Sequence, residues 1–307
     1  MRICVQDSGL ENKFGTEKGY ALIAQAGFTA IDWNIDRALP GSAIVNPESR
    51  GSCIFEKPLE EVIAYYEEQL SVIRKNGLTI SQAHAPFPAY SFTCPEVLDY
   101  MIEIYKRCIE LCDYVGCKYL IVHPISLIPD DTVNTPESVE KLNMHLYESL
   151  IPTLLRNHVI VCLENMFGVK GLPVEAACSD AHEVVHYIDT LNAKAGREVF
   201  GFCVDTGHLH LLRKDFRTFI PILGKRIKCL HIHDNDGQSD AHRAPMTGRT
   251  NWKHVCDALR EIGYDGDLSF ETCSQVTSVS AFDEELVFPW LCLIAKTGEC
   301  FRKHIQQ

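Results

Sequence analysis

The sequence predicts one (β/α)8 barrel, the TIM barrel architecture, spanning residues 1–307 as a single domain. Strand and helix signals alternate from one end of the chain to the other, and no composition break or linker interrupts them. The strand candidates are almost continuously apolar, which is typical of a parallel sheet covered by helices. Eight such units favour a closed barrel over an open sheet, and 307 residues can accommodate a fold that typically takes about 250.

Eight apolar segments are the predicted strands, in the order RICVQD, TAIDWN, LTISQAH, KYLIVHP, VIVCLEN, VFGFCVDTGH, IKCLHIHDN and GDLSFET. A helical pattern follows each of them. The helix after the second strand ends at Gly77, a candidate C-cap, and Pro95 marks the start of the next one. Ser179 or Asp180 is the N-cap of the helix after the fifth strand. No GxGxxG motif follows the first strand, so a dinucleotide-binding fold has no support.

Composition narrows the class of protein. The formal net charge of −12 and the lack of a basic run argue against nucleic acid as a partner. The fourteen cysteines include no CxxC pair, and several lie in apolar runs, so we interpret them as reduced thiols. No segment resembles a signal peptide or is apolar for long enough to span a bilayer. We therefore expect a cytoplasmic protein without a membrane partner; the sequence does not fix whether it forms a homo-oligomer.

Four of the predicted strands end in a side chain that binds metal ions: Glu164, Asp205, His231 and Glu271. In a (β/α)8 barrel the carboxyl ends of all strands meet at one mouth, so we expect these four residues to lie together. Imidazole and carboxylate groups suit a divalent cation such as Mn2+, Zn2+, Co2+ or Mg2+. His233 shares the strand face of His231, so spacing alone leaves both histidines open as the ligand.

A second group of polar residues surrounds these four: His84, His123, His208, Asp240 and His242. They are candidates either for contacts to substrate hydroxyl groups or for additional metal sites. Trp33 and Phe87, which follow the second and third strands, are candidate walls for a sugar ring. Arg243 and Arg249 are candidate ligands for a phosphate group, although no clear phosphate-binding loop is present.

The ordered motifs HAPF, HP, LEN, DTGH, LHIHDND, DAH and FET resemble the xylose-isomerase-like superfamily of TIM barrels. That superfamily includes sugar isomerases, ketose 3-epimerases, inosose dehydratases and type IV apurinic endonucleases. The resemblance implies one divalent ion held by Glu164, Asp205, His231 and Glu271. The resemblance favours His231 over His233, because the metal-binding histidine of the family is often the first residue of an H-x-x-D pattern, as in HIHD here. One departure is the segment APMTGRTNW, where the family often has a PGxGxIDW-like sequence.

The resemblance also sets the functional expectation. We expect a metal-dependent isomerase or epimerase of a small sugar, a sugar phosphate or a cyclic polyol, acting through a metal-stabilised enediolate. Glu164 and Glu271 would transfer the protons, and His84 and His208 would hold substrate hydroxyl groups. The alternative is a multi-zinc endonuclease acting on abasic DNA, whose additional ligands match His84, His123, His208, Asp240 and His242. A non-catalytic sugar-binding barrel is a third hypothesis, and the intact glutamate pair argues against it.

Overall fold

Eight parallel strands form one sheet that curves into a barrel. The computed structural model describes residues 1–46, 48, 53–127 and 134–307, except for the side chain of residue 273. The barrel strands are β1 (Ile3–Gln6), β2 (Ala30–Asn34), β3 (Thr79–His84), β4 (Tyr119–Ile121), β5 (Ile160–Glu164), β8 (Phe200–Asp205), β9 (Ile227–His231) and β10 (Leu268–Phe270). Nearly every residue of these strands is buried, which explains why they lack the polar alternation of a half-exposed sheet.

The strand order is β10-β1-β2-β3-β4-β5-β8-β9, and every neighbouring pair is parallel. A short bridge between Ile232 and Phe270 joins the two ends of this order. There the Ile232 amide donates to the Ser269 carbonyl at 2.8 Å, and the Glu271 amide donates to the Ile232 carbonyl at 3.0 Å. The predicted (β/α)8 barrel is therefore confirmed.

Thirteen α-helices occur in the described residues. They are α1 (Ser8–Phe14), α2 (Thr16–Gln25), α3 (Gly41–Ile44), α4 (Leu59–Lys75), α5 (Val97–Val115), α6 (Pro136–Glu148), α7 (Ile151–Leu154), α8 (Ala181–Ala195), α9 (Thr206–Leu211), α10 (Phe216–Leu223), α11 (Trp252–Glu261), α12 (Cys273–Phe282) and α13 (Val287–Ile305). The N-cap of α8 is Asp180, whose carboxylate accepts the amides of His182 and Glu183. None of the described helices is both long enough and apolar enough to cross a bilayer.

An antiparallel hairpin after β5 was not predicted from the sequence. It pairs β6 (Phe167–Lys170) with β7 (Leu172–Glu175), and Gly171 turns the chain with a φ of 74 degrees, in the left-handed region. Its residues are mostly half-buried or exposed, so their pattern lacks the apolar run that marks the barrel strands. The hairpin stands beside the barrel mouth because it directly follows the carboxyl end of β5.

The alternation of side chains along β2 corrects one prediction. Asp32 points into the barrel, whereas the next residue, Trp33, points outwards to α4. The Trp33 indole is completely buried, donates to Gln69 Oε1 at 2.9 Å and packs edge-on against Tyr66. The expectation that Trp33 lines the substrate site is therefore wrong, because its ring is part of the core between sheet and helix.

Candidate metal centre at the barrel mouth

The four residues of the predicted metal site lie together at the mouth. Nδ1 of His231 is 3.1 Å from Oε2 of Glu164 and 3.3 Å from Oε2 of Glu271. Donor atoms of Asp205, His231 and Glu271 all lie within 4.8 Å of one another. Each residue stands at or just past the carboxyl end of its strand, which is why residues more than a hundred positions apart meet here.

Two buried atoms of this group indicate that it suits a cation. Oε2 of Glu164 and Nδ1 of His231 are inaccessible to solvent and make no hydrogen bond of acceptable geometry. Buried polar atoms without a partner are costly, and a buried carboxylate is tolerated when it is paired or binds a metal ion. The donor set of one imidazole and three carboxylates fits the divalent cations expected from the sequence.

Asp32 orients the imidazole of His231. Its Oδ2 lies 3.1 Å from Nε2 of His231 and also accepts a hydrogen bond from Gln82 Nε2 at 2.8 Å. A carboxylate on the far nitrogen fixes the ring of a metal-binding histidine and directs the other nitrogen to the ion. The sequence analysis did not select Asp32, although a charged residue inside the apolar segment TAIDWN was a usable signal.

His233 is also buried in the cluster, but in a different position from His231. Its Nε2 lies 2.9 Å from Oδ2 of Asp205, and its ring stacks on His242 at a centroid distance of 4.1 Å. A Cβ atom on Gly207 would come within 1.9 Å of the His233 ring, so only glycine allows this packing. Because His231 lies between the two glutamates, its choice as the ligand is supported and stays a prediction.

A first outer group extends from Glu164 towards β3 and β4. Nε2 of His84 and Nε2 of His123 are 2.9 Å apart, and His123 Nε2 is 3.2 Å from Glu164 Oε2. Phe87 packs on both imidazoles, with ring-centroid distances of 5.3 Å to His84 and 4.6 Å to His123. Phe87 is partly exposed, so its ring can contact a ligand in the mouth.

A second outer group lies on the opposite side, at the start of α9. Oδ2 of Asp240 is 3.5 Å from His208 Nε2 and 3.0 Å from His242 Nε2. His208 is held by its own backbone amide, which donates to Asp205 Oδ1 at 2.7 Å, and by Nδ1, which lies 2.8 Å from the Asn165 carbonyl. The five residues of the predicted outer set therefore all lie near the central residues, and they form two groups.

Asn165 ties β5 to β8 and was not selected from the sequence. Its side-chain amide donates to the carbonyl of Asp205 at 2.9 Å, and its Oδ1 accepts the Asp205 amide at 2.9 Å. These two bonds fix the backbone that carries the Asp205 carboxylate. Arg243, one of the two candidate phosphate ligands, lies in the loop after β9, where its guanidinium is 3.6 Å from Asp236 and 39% of its side-chain surface is exposed.

The carboxylates and imidazoles of the cluster shift one another's protonation. Burial raises the pKa of Glu271, but His231 and His242 outweigh it and lower the pKa to about 2. Burial lowers the pKa of His208, yet Asp205 and Asp240 raise it to about 10. Three histidines with raised pKa values, His208, His231 and His242, offset part of the carboxylate charge when protonated. Metal binding needs neutral histidine, so a cation would replace protons in this cluster.

Comparison with known proteins identifies the family. The sequence model of the xylose isomerase-like TIM barrel matches residues 20–291. The chain belongs to that family. Among its relatives, an uncharacterized protein, y4fM, of Sinorhizobium fredii is 28% identical over 270 residues, covering 84% of this chain and 81% of that protein. A probable endonuclease 4 of Mycoplasma pneumoniae is 27% identical over 221 residues, covering 67% of each chain.

Solved structures show the same xylose isomerase-like fold. D-psicose 3-epimerase with D-tagatose from Clostridium cellulolyticum H10 superimposes with a TM-score of 0.71 at 14% identity, covering 98% of this chain and 99% of that one. A D-tagatose 3-epimerase-like protein has a TM-score of 0.67 at 21% identity, covering 97% and 99%. At these identities the similarity establishes the fold. The proteins named here carry the names of two kinds of enzyme, 3-epimerases among the structural neighbours and a probable endonuclease 4 among the relatives.

Proposed function

We propose that this xylose isomerase-like protein is a metal-dependent isomerase or epimerase of a small sugar, a sugar phosphate or a cyclic polyol. The observation that carries the proposal is the convergence of Glu164 and Glu271 on the same nitrogen of His231. Two carboxylates that face one point from different strands can act on a single carbon atom, one as the proton acceptor and the other as the proton donor.

The side chain of Gln6 supports this assignment for Glu271. Its amide donates to Oε1 of Glu271 at 2.7 Å, which occupies one carboxylate oxygen and leaves Oε2 facing His231. Glu164 is placed by charge rather than by a hydrogen bond at Oε2, because His123 and His231 both lie within 3.2 Å of that oxygen. Each carboxylate is therefore held in one orientation before a ligand binds, as proton transfer at a defined carbon requires.

The proposed reaction uses these groups in sequence. A divalent cation in the site, whether Mn2+, Zn2+, Co2+ or Mg2+, would supply Lewis-acid polarisation of the substrate carbonyl. One glutamate removes the proton from the carbon next to that carbonyl, and the electron pair moves onto the carbonyl oxygen to give an enediolate. The other glutamate returns a proton to carbon. His84 and His208 would bind substrate hydroxyl groups, and Phe87 would cover one face of the sugar.

A second candidate function is cleavage of abasic DNA, and a specific observation favours it. The two outer groups flank the central residues, so the mouth offers ligands for two additional cations. The relatives named probable endonuclease 4 add weight to this candidate. Against it stands the net charge of −12, which repels a polyanion. We therefore rank it below the isomerase or epimerase.

Solvent deuterium exchange tests the proposed function. Purified protein is loaded with Mn2+ and incubated in D2O with a panel of ketoses, aldoses, inososes and their phosphates, and exchange is followed by NMR or mass spectrometry. Glu164→Gln and Glu271→Gln should each lower exchange about 10²–10⁴-fold, because glutamine keeps the shape and a ligand oxygen but accepts no proton. Glu140→Gln, an exposed substitution on α6, is the matched control and should keep full exchange.

Metal content distinguishes the two candidates in the same preparation. One ion per chain together with sugar exchange supports the isomerase or epimerase. Three ions together with efficient cleavage of an abasic duplex, and no exchange in any sugar, would replace it with the nuclease. In that case His84, His123, His208, Asp240 and His242 would be metal ligands.

A further inference from the structure

A second cavity lies on the rim of the barrel, outside the metal centre. Its volume is about 510 Å³, and its walls come from the end of α9, the start of α10, the loop after β9 and the start of α11. His210, in its wall, follows His208 by two residues, and its Nδ1 lies 2.7 Å from Oδ1 of Asn235. The cavity therefore borders the mouth beside α9.

The cavity is cationic, although the chain as a whole is acidic. Four cationic side chains line it: Arg213, Lys214, Arg217 and Arg249. Its two carboxylates are already engaged. Asp215 forms an ion pair with Arg217 at 3.1 Å, and Asp236 accepts the amides of Gln238 and Ser239. Lys214 pairs with Glu175 on the nearby hairpin.

Two arginines of the cavity are left without a counter-charge. Within the ranges that the structure describes, Arg213 and Arg249 form no ion pair and no side-chain hydrogen bond, and both are exposed. A guanidinium group offers several donors in a planar fork that matches phosphate oxygens. Arginines in two different segments of the chain thus face one concave space with their donors free.

The backbone at the two arginines has a defined conformation. Arg249 lies between Gly248 and Thr250, whose amides both donate to the buried carboxylate of Asp234 at 3.0 Å, and its own amide donates to the Asn235 carbonyl at 2.9 Å. Arg213 has a φ of 56 degrees, in the left-handed region that non-glycine residues rarely adopt. Such a conformation costs energy and often marks a functional position.

The starts of two helices face the cavity, and each already has a side-chain cap, because Asp215 accepts the Arg217 amide and Asn251 accepts the His254 amide. The first residues of α10 and of α11, including Arg217 and His254, lie in the cavity wall. The amino-terminal end of a helix carries a partial positive charge that favours anions. The helix ends alone would not define a site. The two arginines without a counter-charge give the cavity the chemistry that suits a compact anion with several oxygens.

We infer that this cavity binds the phosphate group of a small phosphate monoester. A dianionic phosphate would accept from Arg213 and Arg249 and would lie near the starts of α10 and α11. A nucleic acid backbone carries the same chemical group, but the acidic surface of the chain disfavours a long polyanion. The step from this site to a sugar phosphate as the substrate rests on the proposed function. The existence of the phosphate site itself does not.

Isothermal titration calorimetry with inorganic phosphate and D-fructose 6-phosphate tests the inference, with D-fructose and a short DNA duplex as comparison ligands. The full-length protein is compared with Arg213→Ser and Arg249→Ser. Each substitution should weaken phosphate binding by about tenfold or more, as the loss of a hydrogen bond to a charged group does. Arg302→Ser is the matched control, since it removes the same charge from the last turn of α13, at the opposite end of the barrel.

Each result of the titrations either supports the phosphate site or overturns it. Phosphate binding that both cavity variants weaken and the control does not supports the site. An absence of phosphate binding, or binding that neither cavity variant changes, overturns it. Tighter binding of the duplex than of the monoesters, lost in the same variants, would overturn the assignment to small molecules. Deuterium exchange reports on the reaction separately, so either the reaction or the phosphate site can fail without the other.

Discussion

Replacing Asp234 by asparagine should destabilise the protein strongly, although Asp234 is neither a predicted metal ligand nor exposed. Its carboxylate is fully buried and serves as the anchor of the loop after β9. Oδ1 accepts the amides of Asn235 at 2.9 Å and of Thr250 at 3.0 Å. Oδ2 accepts the amide of Gly248 and the indole Nε1 of Trp252, both at 3.0 Å.

The size of the effect follows from these four bonds. In Asp234→Asn one oxygen becomes an NH2 group, which faces two donors and can accept from neither. Whichever way the amide is turned, two buried N–H groups lose their acceptor. A hydrogen bond to a charged group is worth about 1.5–3 kcal/mol, so the free energy of unfolding should fall by about 3–6 kcal/mol. For a chain of this size the melting temperature should fall by roughly 5–10 °C.

Urea denaturation and thermal melting followed by circular dichroism measure the change. Asp236→Asn is the matched control, because that carboxylate accepts two backbone amides in the same loop but is exposed to solvent. We expect the control to stay within about 1 kcal/mol of the wild type. If Asp234→Asn were destabilised no more than the control, the loop would not depend on this carboxylate, and the reasoning that positions Arg249 would fail with it.

Three further predictions concern the metal centre and the barrel core. Asp205→Ala should remove most of the bound metal, measured by elemental analysis, because a charged ligand is lost, whereas Asp189→Ala on the outer surface should not; unchanged content would refute the ligand set. Burial raises the pKa of Asp7 to about 7, so between about pH 4 and pH 7 this carboxyl group keeps its proton in the folded protein and loses it in the unfolded chain. The contribution of Asp7 to the free energy of unfolding should therefore fall as pH rises through that range, and Asp7→Asn should remove this contribution; an unchanged slope would contradict the assignment. Gly207→Ala should displace His233 and lower stability by about 1–3 kcal/mol, because its Cβ would lie 1.9 Å from that ring, and wild-type melting would show that the packing is looser than described.

The fold could be predicted because every barrel strand carries the same signal. Segments such as VIVCLEN and IKCLHIHDN are apolar throughout and end in polar residues, which is how strands buried on both faces meet a shared mouth. The hairpin after β5 lacks that signal, since its short strands pair only with each other and leave Val169 and Leu172 exposed. The pairing of the two hairpin strands depends on their position beside the mouth, and a local sequence pattern does not predict that position.

The candidate site was predictable to a similar degree. Strand-end position selected Glu164 and Asp205 because the topology itself brings strand ends together. It could not distinguish His231 from His233, since the two share a strand face and differ only in which carboxylates they meet. It also placed Trp33 in the site, although the indole lies one residue past the inward-facing Asp32. A shift of one residue reverses the face of a strand, and proximity to a strand end does not reveal that shift.

The closure of the barrel would give a bound cation a mechanical role. The ring is completed at one narrow seam, the bridge between Ile232 and Phe270, where the end strands share only a short stretch of backbone pairing. His231 and Glu271 stand directly on either side of that seam, each next to a bridging residue. A cation held by both would link the two end strands across this short bridge. Binding of the cation would then disfavour transient separation of the two end strands. The residues that hold the ion would also stabilise the closed barrel.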